Sequence, residues 1–107
     1  MRNNFKILDI THSGTKGERG TPVTANKYDG LIGCPVRFDT DDIHIGQSLT
    51  MYIVPKAHMH YDYWTISCIQ SVDYDKENKV LVIETLNSIY YLQEVKHEVQ
   101  NRKKILE

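Results

Sequence analysis

Long apolar runs are missing from this chain. No stretch approaches the ~20 consecutive apolar residues that a membrane-spanning helix needs. The opening residues Met1-Arg2-Asn3-Asn4-Phe5 have none of the apolar core of a signal peptide, so the expectation is a cytoplasmic protein. Cysteine is scarce. Cys34 and Cys68 stand far apart, and in a cytoplasmic chain the expectation is two free, packed thiols. An excess of charge is missing too. Thirteen Lys and Arg against fourteen Asp and Glu give a net charge of −1. That removes the electrostatic case for a strong nucleic-acid binder, while leaving room for a local basic patch. There is no internal repeat and no low-complexity segment. At 107 residues and 40% hydrophobic content the chain is one domain able to bury a modest core.

What is present is concentrated between Tyr61 and Leu92. This stretch carries the only Trp and five of the seven Tyr. Trp64, Ile66, Cys68 and Val72 share one parity, with Gln70 interrupting, while Thr65, Ser67, Ile69 and Ser71 share the other. That alternation predicts a half-buried strand. Asp73 to Lys79 is charged and supplies Asp and Asn for a turn. Val80-Leu81-Val82-Ile83 is β-branched at three of four positions and fits a strand buried on both faces. The pattern is that of one hairpin whose long second arm is interrupted near Asn87-Ser88 by a bulge or a short turn.

Before this hairpin, Phe5 to Thr11 predicts a first strand with apolar residues of both parities. Gly14, Gly17, Gly20 and Pro22 mark a flexible surface loop. Its three-residue glycine spacing and the lack of a following helix exclude a Walker loop and a dinucleotide fingerprint. Lys16 and Arg19 leave an anion-closing loop as the sharper reading. Pro35 breaks the strand over 31–38, which must lie at an edge or begin after the proline. Asp39-Thr40-Asp41-Asp42 lacks the third ligand and the glycine of a calcium loop, and reads as a solvated turn. Leu49, Met51 and Ile53 share the inward face of a further strand.

Lys56-Ala57-His58-Met59-His60-Tyr61-Asp62 is the most chemically suggestive stretch. His58 and His60 project to one face of an extended chain, a workable start for a transition-metal site. The metallo-β-lactamase and cupin patterns both fail, because Tyr63 replaces the next histidine and no Glu follows at the required spacing. An ordinary polar loop is the plainer alternative. No cofactor is implied. No nucleophile elbow occurs, Cys68 sits inside a strand, and carboxylates cluster in turns, so the residues argue against catalysis. After Leu92 the chain turns to helix formers, with Val95, Val99, Arg102 and Leu106 on one stripe. This predicts a short C-terminal helix or tail.

Strands are thus expected near 5–11, 31–38, 48–54, 63–72, 79–86 and 88–93. The fold class is all-β: a small, partly open barrel of five to six antiparallel strands over residues 1–93, with a C-terminal helix or tail over 94–107. Trp64-Thr65-Ile66-Ser67, followed by Ile83-Glu84-Thr85-Leu86-Asn87-Ser88-Ile89-Tyr90, resembles the SH3-like small barrels of bacterial and phage proteins. The resemblance covers about the last two-thirds of the chain and implies a binding module. The expected function is non-enzymatic binding of a protein partner or self-association, including an inhibitor or regulator, since surplus Tyr marks interfaces. A small anionic ligand or nucleotide is the alternative, and nucleic acid the second alternative. The candidate ligand-binding residues are Arg19 and Arg37 for an anion, Tyr63 and Trp64 for ring stacking, and Thr85 with Asn87 for polar edges. His58 and His60 are the candidate metal ligands.

Overall fold

A computed structural model describes residues 2–23, 30–53 and 63–95. Seven strands form one antiparallel sheet: β1 (Arg2–His12), β2 (Pro35–Asp39), β3 (Leu49–Ile53), β4 (Tyr63–Ile66), β5 (Ile69–Asp75), β6 (Val80–Thr85) and β7 (Ser88–Glu94). Their spatial order is β4-β3-β2-β1-β7-β6-β5. No α-helix occurs among the described residues, and none of their segments is a helix long and apolar enough to cross a membrane.

The all-β expectation holds, with one strand more than counted. The predicted strand over 63–72 breaks at Ser67-Cys68 into β4 and β5, which lie at opposite edges of the sheet. The corner inverts the alternation. Ile66 is buried, Ser67 and Cys68 are half-buried, and Ile69 is buried again. The long second arm is also two strands. β6 and β7 run antiparallel across the short connection Leu86-Asn87. Thr85 closes it: its hydroxyl donates to the Ser88 carbonyl and accepts from the Ser88 amide, both at 3.0 Å. Of bulge and short turn, the short turn is what forms.

β1 shows why both parities carry apolar residues. Phe5 and Ile7 point inward, a bulge falls between Ile7 and Asp9, and Ile10 then points inward. Leu8 is left 42% exposed at the irregularity. An extra residue exchanges the faces of everything beyond it. Pro35 is the first residue of β2, where no ladder donor is needed. The strand itself is interior, between β1 and β3.

The inner face is continuous. Phe5, Val36 and Ile53 form one cross-strand row, Ile7, Leu92, Leu81 and Tyr74 a second, and Ile10, Tyr90, Ile83 and Val72 a third. Phe5 and Phe38 stack with centroids 4.8 Å apart. Such cross-strand apolar pairs, screened from water, supply most of the sheet's cohesion. The sheet curls but does not close. At the corner where β4 passes into β5, Ile69 is tied to the connection that leads into β3: its carbonyl accepts from the Gly46 amide at 2.8 Å and its amide donates to the Gln47 carbonyl at 2.9 Å.

Candidate functional site

Beyond Ile69 the curled sheet opens. β5 runs along one side, and the connection from β2 to β3 runs along the other. That connection begins with a single 3-10 turn, Thr40–Asp42, capped by the Asp39 carboxylate accepting from the Asp41 amide. Between the two sides lies a cavity of about 620 Å³. Val72 and Tyr74 of β5 line one wall, and Thr40, Ile43 and Ile45 line the other. Phe5 and Leu81 also line it, and Glu94 supplies a carboxylate.

Three of these side chains are apolar and open to water: Ile45 at 62%, Val72 at 38% and Tyr74 at 42% exposure. Apolar groups exposed on the inner face of a sheet mark core surface that none of the described elements covers. The Tyr74 hydroxyl donates to Glu94 Oε1 at 2.6 Å. That bond, with burial second, raises the Tyr74 pKa above its ordinary value. Asp41 and Asp42 sit in the 3-10 turn between lining residues, and Asp73 and Asp75 flank Tyr74 along β5. Among the described residues no Lys or Arg lines the cavity; Lys76 and Lys79 lie in the turn beyond β5.

Beyond Ile69, β5 is also an edge strand, with β6 its one strand partner among the described residues. An edge of this kind is a template for an added strand, and the charges of Asp73 and Asp75 discourage pairing with a like strand.

A second feature lies on the opposite, outer face. Register places Asn4, Arg37, Tyr52 and Tyr63 in one row across β1, β2, β3 and β4. Arg37 Nε donates to Asn4 Oδ1 at 2.9 Å, and the guanidinium lies 6.0 Å from the Tyr52 ring centroid. Tyr52 and Tyr63 meet edge to face, 5.7 Å apart at 71°. Tyr63 is 64% exposed.

The Gly-rich loop is tied down. The His12 amide donates to the Thr21 carbonyl, and the Gly20 amide to the His12 carbonyl, both at 2.9 Å. Ser13 and Thr15 hydroxyls donate to the Leu86 carbonyl at 2.7 and 2.9 Å, and Thr15 also reaches Asn87 Oδ1 at 3.2 Å. A Cβ at Gly17 would lie 2.6 Å from the His12 ring, so glycine is required by close approach. Arg19 forms a two-pronged ion pair with Glu84, one prong at 2.7 Å. The Arg19 guanidinium holds the Glu84 carboxyl below the usual carboxylate range.

The sequence-derived residues therefore fall in three places. Arg37 and Tyr63 share the outer row. Arg19, Thr85 and Asn87 cluster around the turn between β6 and β7, where Arg19 is engaged by Glu84 and Thr85 is 1% exposed. Trp64 lies apart, half-buried against the core, with its Nε1 donating to the Tyr90 hydroxyl at 3.2 Å. His58, His60 and the stretch after Val95, Arg102 included, lie outside the described residues. Among the described residues no three His, Cys, Asp or Glu are grouped to hold a metal ion.

The cavity residues Ile45, Val72 and Tyr74, and Tyr52 in the outer row, were not singled out from sequence. One signal was present. Ile43 and Ile45 are large apolar residues in a segment that otherwise reads as a polar connection. Comparison with protein-family models, curated proteins and solved structures found no match to this chain.

Proposed function

We propose that this protein is a non-enzymatic binding module, a partly open small barrel of the SH3-like kind, that holds an extended segment of a partner protein in the cavity beside β5. The observation that carries this reading is the concentration of Ile45, Val72 and Tyr74, all water-exposed, around one cavity on the inner face of the sheet. An extended segment would add a strand to the β5 edge and place alternate side chains into the cavity. The chemistry of the walls selects its residues. The lining is mainly apolar; among the described residues its one charge is the Glu94 carboxylate, with Asp41 and Asp42 in the adjoining 3-10 turn. The fitting segment is apolar at alternate positions and carries Lys or Arg at a flanking one. Cys34 and Cys68 are both free thiols, which supports action in a reducing, cytoplasmic compartment.

The test is selection from a random peptide library displayed on phage, followed by binding to Ile45→Glu and Val72→Glu variants. Both positions are exposed, so both variants keep the fold. Enrichment of alternating apolar segments with a basic residue, lost by tenfold or more in both variants, is the expected result. Selected peptides that bind both variants as well as the parent would overturn the reading.

A further inference from the structure

We infer that the outer row Asn4–Arg37–Tyr52–Tyr63 is a second binding site, for single-stranded nucleic acid, with Arg37 on a phosphate and Tyr63 stacked on a base. The row faces away from the cavity, on the other side of the same sheet, because Met51 and Ile53 point into the core on either side of Tyr52. It stands independently of the protein-binding reading.

Three observations support it. First, Arg37 is already oriented. Its Nε is held by Asn4 and its plane lies beside the Tyr52 ring, while neither Nη group has a partner among the described residues. A guanidinium fixed in this way offers a ready two-pronged donor to a phosphate at little cost in side-chain freedom. Second, Tyr52 and Tyr63 are both solvent-exposed, and their edge-to-face contact fixes the angle at which the Tyr63 ring meets an incoming base. Third, the surroundings suit a strand laid across a sheet. Lys6 is exposed two residues along β1 from Asn4, and the Thr50 and Thr65 hydroxyls lie 2.8 Å apart in the neighbouring row. Asp39, two residues along β2 from Arg37, accepts a hydrogen bond from the Asp41 amide.

The same phosphate-and-base chemistry exists in a free nucleotide. Mononucleotides are held in concave pockets, whereas this row is an open sheet face two strand spacings, roughly 10 Å, from Arg37 to Tyr63. Open sheets with exposed aromatic rings are the surfaces on which successive bases of a single strand stack. Arg37 and Lys6 are two cations on a chain whose net charge is −1. Binding must therefore rest on stacking, with a shallow salt dependence of about one or two phosphates, or roughly −0.7 to −1.4 in log–log slope.

The experiment is fluorescence anisotropy of labelled oligo(dT) and oligo(A) RNA with the full chain at low salt. Unlabelled mononucleotide and duplex DNA serve as competitors. Tyr63→Ala should weaken binding fivefold or more, and Arg37→Gln should flatten the salt slope by about 0.7. Leu86→Ala, in the exposed turn between β6 and β7, should leave binding unchanged, and circular dichroism checks that each variant is folded. No binding to either strand, or equal binding by Tyr63→Ala and Arg37→Gln, would overturn the inference. Mononucleotide competing as well as the strand per phosphate would also overturn it, in favour of a nucleotide site.

Discussion

Glu84 and Arg19 illustrate how one residue pair locks a loop. The Gly-rich segment has little apolar content to hold it. Its attachment comes from polar contacts with β6 and the turn between β6 and β7, and the ion pair is the charged one among them. The Glu84 carboxyl is shifted down, first by the hydrogen bond from Arg19. Its folded value lies under its unfolded value of about 4.3. The stabilisation is therefore present above that pH and is lost as pH falls through the folded value. Asp75 is shifted the same way, by hydrogen bonds from Asn78 and Glu77, so acid sensitivity has a second source that Arg19 does not control. Urea midpoints of the parent and Arg19→Gln should differ modestly at neutral pH and converge below about pH 4. A gap that stayed constant with pH would assign the effect of Arg19 to packing instead.

At the level of elements, the hairpin of β5 and β6 was the most legible part of the sequence. Its turn chemistry is local. Asp75 accepts from the Glu77 and Asn78 amides at 3.0 and 3.3 Å and from the Asn78 side chain at 2.8 Å. Lys79 then takes a left-handed conformation, φ 56°, to re-enter β6. Lys79→Gly should stabilise the protein by up to about 1 kcal/mol, offset in part by the freedom glycine gains in the unfolded chain. Lys79→Val should destabilise it, since a β-branched residue fits that conformation worst. Thermal melts of the two variants should shift in opposite directions, and a common direction would contradict the argument. The break between β4 and β5 was not legible. Trp64, Ile66 and Cys68 keep strict alternation into the corner, and only the pairing of β5 with β6 reveals that the chain has crossed to the other edge of the sheet. The split of β6 from β7 was half legible. Asn87 and Ser88 mark a bend, but a bulge and a reversal use the same residues.

Taken whole, the molecule is a sheet curled until its edges nearly meet, with apolar surface left at the seam. Long-range register decides where that surface lies, which is why Ile45, Val72 and Tyr74 were not legible as a group. Val72 reads only as an inward strand residue and Tyr74 only as one of several surplus Tyr, and they meet Ile45 because β5 and the connection after β2 flank one opening. Arg37 and Tyr63 were legible as residue types suited to binding. Their alignment with Tyr52 and Asn4 needed the pairing of four strands. The direct measurement is methyl and amide NMR of the full chain titrated with an enriched peptide. Shifts concentrated at Ile45, Val72 and Leu81, with amide shifts along β5 and none at Tyr63, are expected if the seam receives a partner's strand. Shifts that spare those methyl groups and gather elsewhere would place protein recognition outside the seam and contradict that function.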